Sequence, residues 1–406
     1  MTDLASFLKT GDRIFVGGSS NEPRGLLAAL AEQALPPNLT FIQFPLPGLN
    51  ATDFTAWNES ARIETFFMSP ALQRAADPTR VEFLPMQMRW VFDYLLENVD
   101  VCLLQGAYDR AGVLRLGPNV DFAEAVLISA KKIIVEVNRS FTAPAGSMAL
   151  DPKSIDVLIE TDMSLPEMPV TSVDETAKII GRLVAGLIKD GDCLQTGIGA
   201  IPAAILAQLK DKNDLGLHGG LIDEGGRHLI EAGNVTGRRK TEDLGLHVTG
   251  MALGDAGFYQ WLAEAPEVVF RPANYTHEVS VIRRLNQFVS INSAVEVDVL
   301  GQVNAEFAGG RQISGTGGSV DFMRGARSAK AGRSIIAMTA TARGGSVSRI
   351  VPKVDLVTAL RTDVDLVVTE FGIARLEGLS VRERARALIA IAAPQFRDEL
   401  ASSLKG

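Results

Sequence analysis

Short apolar runs alternate with longer segments of helical period through the first half of the chain. The runs are Ile14–Val16, Val101–Leu104, Ile133–Val137 and Asp156–Ile159; helical segments start near Pro23 and extend over Val173–Lys189. Strands that are apolar throughout are buried on both faces, and the helices between them supply the cover. The pattern therefore predicts βαβ crossovers and an α/β protein with mainly parallel sheets.

The pattern then repeats. Gly11-Asp12-Arg13-Ile14-Phe15-Val16-Gly17 has a counterpart in Gly191-Asp192-Cys193-Leu194-Gln195-Thr196-Gly197. Beyond each, Pro23 and Pro202 mark helix starts, and Leu26, Leu27 and Leu30 correspond to Ile205, Leu206 and Leu209. Val120-Asp121-Phe122 returns as Val320-Asp321-Phe322, each followed by a helical stretch and then an apolar strand, Ile133–Val137 or Ile335–Met338. The reading is two homologous open α/β domains, 1–168 and 169–406. The boundary is placed in Met163–Thr171, where two prolines interrupt the periodicity. Ligands of such domains sit in the crevice at the carboxyl ends of the strands.

Composition narrows the partners. A net charge of −8 over 406 residues argues against nucleic acid or an anionic membrane surface, and leaves room for a local basic pocket. Cys102 and Cys193 stand in apolar stretches with no metal-like spacing, so both read as buried free thiols of a reducing compartment. The start MTDLASFLKTGD has no basic segment leading into an apolar core, and no run of ~18 apolar residues occurs; a cytoplasmic location is expected.

Four features carry candidate chemistry. Thr196-Gly197-Ile198-Gly199-Ala200-Ile201-Pro202 is a strand, a glycine turn and a helix start, whose N–H groups could face an anion or a thioester carbonyl. Gly315-Thr316-Gly317-Gly318-Ser319 and Arg343-Gly344-Gly345-Ser346-Val347-Ser348-Arg349 are loops that could bring main chain close to a ligand, the second with two guanidinium groups suited to phosphate. All four histidines, His218, His228, His247 and His277, lie in one stretch, yet none belongs to a metal-ligating pattern. Asp223-Glu224-Gly225-Gly226 offers a carboxylate on a loop. Each has a bland alternative: tight βα turns, solvated loops, a histidine at a sheet edge and an exposed turn. Gly-x-Ser-x-Gly and Walker motifs are absent from the sequence.

In combination these loops resemble the acetyl-CoA hydrolase/transferase family. The similarity runs through Leu194–Pro202, Ser290–Asp298, Gly315–Phe322, Gly344–Pro352 and Val368–Ala374, and more thinly through Gly11–Gly17 and Glu22–Arg24. It implies a CoA-transferase-like duplication, coenzyme A thioesters as substrates with no resident cofactor or metal, a carboxylic acid as possible acceptor, and a homodimer. It also implies a CoA site at Gly197, Ile198, Gly199, Gly317, Gly318, Arg343, Gly344 and Gly345, with the Gly318 amide as oxyanion donor. Family transferases attack the thioester with a glutamate following His-Thr. Here the stretch reads Leu217-His218-Gly219-Gly220-Leu221-Ile222-Asp223-Glu224, so Gly220 stands where that glutamate belongs. His277 stands where the transferases carry an asparagine near the thioester oxygen.

Three readings compete. The first is acyl-CoA hydrolysis, with His277 or Glu224 activating water and an imidazole titrating near neutrality as base. The second is CoA transfer with Glu224 as nucleophile. The third is a CoA-binding protein without catalysis.

Overall fold

The computed structural model describes residues 3–169 and 172–404. The chain forms two compact units, Met1–Pro169 with Val248–Thr276, and Val170–His247 with His277–Gly406. Val170 and Thr171, at the end of the segment where the pattern places a boundary, lie outside the described residues, as do 1–2 and 405–406 of the two expected domains.

The first unit is built on eight strands: β1 (Arg13–Val16), β2 (Thr40–Gln43), β3 (Arg62–Thr65), β4 (Val81–Phe83), β5 (Val101–Tyr108), β6 (Leu114–Leu116), β7 (Lys132–Asn138) and β8 (Val157–Thr161). Their order is β4-β3-β2-β1-β5-β7-β8, parallel throughout, with β6 antiparallel on β5. The second unit's main sheet contains β9 (Cys193–Gln195), β10 (Gly216–Leu217), β11 (Phe288–Asn292), β12 (Arg333–Ala337), β13 (Leu366–Thr369) and β14 (Gly372–Arg375). The order is β10-β9-β11-β12-β13-β14, with only β14 antiparallel. Thus β2-β1-β5-β7-β8 has the same connectivity as β10-β9-β11-β12-β13, and the repeat read from the sequence is a repeat of topology.

The cores follow the apolar pattern. Leu26, Leu27 and Leu30 of the Arg24–Ala31 helix pack with Ile14, Val16, Phe41, Leu103 and Ile134. Their counterparts Ile205, Leu206 and Leu209 pack with Leu194, Val289, Ile335 and Val368. Helix seating is tight enough to require glycine in places. A Cβ on Gly181 of the Glu175–Ala185 helix would lie 2.8 Å from the carbonyl oxygen of Ala204. The Arg24–Ala31 helix has no capping side chain of its own at Pro23. Instead the buried Glu136 carboxylate of β7 accepts from Leu26 N at 2.8 Å and from the Thr161 hydroxyl at 2.6 Å, supplying the first turn with an acceptor and a negative charge.

In each sheet the connections run outward in opposite directions from one pair of neighbours, β1 and β5 in the first, β9 and β11 in the second. Such switch points open a crevice beyond the strands' carboxyl ends.

Candidate functional site

Strands β9 and β11 end on Gln195 and Asn292, whose side-chain amides meet across the second unit's switch point, Asn292 Nδ2 donating to Gln195 Oε1 at 3.2 Å. From Gln195 the chain turns through Thr196–Gly199 into the Ala200–Ala207 helix. Gly199 takes φ +111 as the residue before that helix, a conformation side-chain-bearing residues rarely adopt, and Gly197 and Gly199 have open space where a Cβ would stand. Pro202 is the third residue of this helix, where an N–H has no partner within the helix. Main chain is therefore presented without side-chain cover at 197–199.

Next to this edge the His218–Gly220 segment leaves β10. The His218 amide donates to Leu194 O at 3.1 Å, and its ring is fully buried, edge-on to Phe288 with centroids 6.2 Å apart. A Cβ on Gly219 would touch the Gln195 side chain at 3.2 Å. A Cβ on Gly220 would lie 3.0 Å from both Cε1 and Nε2 of His277. On the other side of the same imidazole, a Cβ on Gly318 would lie 2.3 Å from Cδ2 and Nε2. The His277 ring thus occupies the space between two glycines. The Phe322 ring, 4.5 Å away by centroid, supports it. Phe322 is held by the apolar cluster of Cys193, Ile282, Leu285 and Phe288, and sits in the first turn of the Ser319–Ser328 helix that Gly318 precedes.

This packing changes the chemistry expected of His277. The sequence suggests an imidazole titrating near neutrality. Complete burial drives it down to about 3, so it is neutral at physiological pH and a poor store for a proton. It remains able to donate one hydrogen bond and accept another. His247 is also held down, to about 4, by burial and by the charge of Lys240, while His228 is exposed. Burial pushes the Cys193 thiol up to about 12 and raises Cys102 as well, so both cysteines are free, buried and unsuited to nucleophilic work.

The remaining candidates stand on their own elements. Gly317 has φ +55 and Ser319 Oγ donates to Thr316 O at 2.9 Å, folding the loop immediately before Gly318. Arg343, Gly344 and Gly345 all have positive φ, at the tip of a hairpin between Thr341–Ala342 and Val347–Ser348, and Arg343 is exposed. Arg349 does not share that exposure. Its guanidinium is turned inward, donating to Val295 O at 2.8 Å, to the Thr339 hydroxyl at 2.7 Å and to Ala294 O. It fastens the hairpin base, so of the two arginines only Arg343 is exposed. Glu224 opens the Glu224–Glu231 helix, 3.7 Å from Arg227 on that helix, while Asp223 caps it by accepting from Gly226 N at 3.1 Å. Among the described residues, no cluster of three or more His, Cys, Asp or Glu side chains is placed to hold a metal ion, and no helix is long and apolar enough to cross a membrane.

Phe322 and the Gln195–Asn292 pair are parts of this site that sequence reasoning passed over. The Val-Asp-Phe repeat was a usable signal for Phe322, since it marks the helix entry next to Gly318.

Known proteins resemble the chain along most of its length. The N-terminal and C-terminal domain models of acetyl-CoA hydrolase/transferase match residues 1–168 and 254–404. The 4-hydroxybutyrate coenzyme A transferase of Clostridium kluyveri is 38% identical over 85% of this chain and 82% of its own length. An acetyl-CoA hydrolase of Neurospora crassa is 27% identical over 72% of this chain and 63% of its own. The crystal structure of RipA from Yersinia pestis superposes with a TM-score of 0.91 at 33% identity, covering 99% of this chain and 95% of that one. With matching models at both ends and transferases and hydrolases among its relatives, the chain belongs to the acetyl-CoA hydrolase/transferase family.

Proposed function

We propose that this protein cleaves acyl-CoA thioesters with water as acceptor. The observation that carries the reading is the occupied space in front of Gly220: position 220 has no side chain, and the His277 ring stands where one would project. A carboxylate nucleophile at this position is replaced by a neutral imidazole, and acyl transfer through it is lost.

In the proposed step, water attacks the thioester carbonyl carbon. The oxyanion that forms takes a hydrogen bond from the Gly318 amide, and the neutral imidazole of His277 orients the attacking water. Collapse breaks the C–S bond, and the departing thiolate takes the proton that water gives up, leaving a carboxylic acid and free coenzyme A. A group held near 3 serves this step as a polar orienting group rather than as a general base. The uncovered main chain at Gly197, Ile198 and Gly199, with Gly317 and the Arg343–Gly345 hairpin, holds the coenzyme.

CoA transfer with Glu224 as nucleophile is the second reading, favoured by the names of the transferase relatives. It would require Glu224 to leave Arg227 and its helix turn. Incubation with a panel of acyl-CoAs separates the two: free thiol appears without any acceptor under the first. Under the second, acyl-CoA is consumed only with acetate or succinate present, and a new CoA ester forms.

A further inference from the structure

Strand β10 is the outer strand of the second unit's main sheet, and it leads into the turn that brings Gly220 against the His277 ring. The chain that follows covers its outer edge. Leu215 O accepts from Thr236 N at 3.0 Å and from Gly237 N at 2.9 Å. Leu217 O, the last carbonyl before the His218–Gly220 turn, accepts instead from a side chain, Lys240 Nζ, at 3.1 Å. The same ammonium donates to Leu246 O at 2.7 Å.

This lysine is aimed. It is 5% exposed, and its stem lies along the main chain of Gly216, where a Cβ would stand 2.6 Å from Lys240 Cγ. Its own backbone is fixed: Lys240 N donates to Gly237 O at 3.2 Å, Thr241 Oγ1 accepts from Asn286 N at 3.0 Å, and Glu242 pairs with Arg284 at 2.9 Å. Burying an ammonium is costly, and here it is tied to main-chain carbonyls rather than to a carboxylate. What the charge brings is a stronger bond than a neutral donor would make.

The place of that bond matters. Leu217 O and His218 N belong to one planar peptide. Lys240 holds its oxygen, and Leu194 O holds its N–H at 3.1 Å. With both ends gripped, the plane cannot rotate. Gly219 and Gly220 come next, and glycines carry no conformational preference of their own to direct the turn. The direction in which Gly220 meets the imidazole is therefore set by the plane before it.

We propose that Lys240 is a positioning residue for thioester cleavage, its bond to Leu217 O setting the turn that closes Gly220 on the His277 ring. The inference rests on the reading that cleavage takes place beside those two residues. Burial lowers the lysine's value, while Cys193 and Asp243 raise it; its charge in turn adds to the burial that holds His247 down to about 4.

The test is Lys240→Met, which keeps the stem and removes the donor and the charge. Thiol release from a short acyl-CoA should fall in kcat by about tenfold or more, the size of a hydrogen bond to a charged group. KM and the calorimetric affinity for free coenzyme A should stay as they are in the unmodified protein. By NMR, His247 should titrate at higher pH in Lys240→Met; an unmoved value would show the amine uncharged and overturn the charged tie. Unchanged kcat in a cooperatively melting Lys240→Met would overturn the proposal, as would coenzyme A affinity falling in step with kcat. Should Lys240→Met fail to melt cooperatively, Gly216→Ala decides: its Cβ displaces the stem and leaves the charge, so kcat should fall with coenzyme A affinity kept, and an unchanged kcat would overturn the role. Acyl movement only to added acetate in the unmodified protein would overturn the cleavage reading alone; Lys240→Met would then be scored by the kcat of that transfer, with the same fall supporting the role and no fall ending it.

Discussion

The two sheets arrive at their switch points by the same strand order and leave different chemistry there. At β1 and β5 the crevice keeps a small cavity, a strained serine and a buried acid held in its protonated form. At β9 and β11 the comparable place is filled: His277 is packed against Gly220, Gly318 and Phe322 and held neutral from the other direction, as a base that cannot take a proton. Burial is the common cause, acting on an acid in one unit and a base in the other. A duplicated scaffold thus conserves backbone and topology while each copy specialises through a few side chains at one strand edge.

The sharpest way to break this comparison is Gly318→Ala, whose Cβ would lie 2.3 Å from the His277 ring. It should displace the imidazole and the adjacent amide and reduce thioester cleavage by ~10²–10³, measured as kcat. Gly220→Glu tests the same packing from the opposite side. Alone it should destabilise the fold by about 1–3 kcal/mol in urea titration, because its side chain competes with the ring. Combined with His277→Asn, which vacates the space, it should recover stability and shift the acceptor from water to carboxylic acids. A double variant no more stable than the single would contradict the reading that the two side chains exclude each other.

The opposed protonation states predict opposed pH dependence. His277 has its folded value lowered to about 3, so the unfolded chain binds more protons below pH 6.5, and stability is lost as pH falls from there toward 3. His277→Asn should flatten that acid limb. Asp121 has its folded value raised to about 8, so between pH 4 and 8 the folded chain binds more protons, and stability falls as pH rises. Asp121→Asn should therefore raise Tm more at pH 8.5 than at pH 5. Smaller effects test the scaffold. Gly181→Ala meets the Ala204 carbonyl and should cost about 1–3 kcal/mol. Ser380→Ala removes one half of a reciprocal cap on the Val381–Ala390 helix, at a cost of about 1 kcal/mol.

The scaffold was legible in the sequence because it is periodic and occurs twice. Leu26, Leu27 and Leu30 could be aligned with Ile205, Leu206 and Leu209 before any fold was known, and both triplets are buried. What escaped reading depends on contacts between loops distant along the chain. Nothing in the spacing of Gly220 and His277 announces that one ring fills the other's space, and the neutrality of that ring follows from burial that spacing does not encode. Arg349 reads like Arg343, a guanidinium in a glycine loop, until its three backbone and hydroxyl acceptors show it facing inward. Asp121 was visible only as one letter of a repeat; its burial beside the apolar walls that β1, β5 and the segment after β2 bring around it is not encoded there.

The most direct test of the central claim is to incubate the protein with a short acyl-CoA in heavy-oxygen water, without any acceptor acid, and to weigh the released acid by mass spectrometry. Water-driven cleavage predicts one heavy oxygen in the acid for each thiol freed. No thiol release under these conditions, with acyl groups moving only to an added carboxylic acid, would contradict the account and make Glu224 the leading nucleophile.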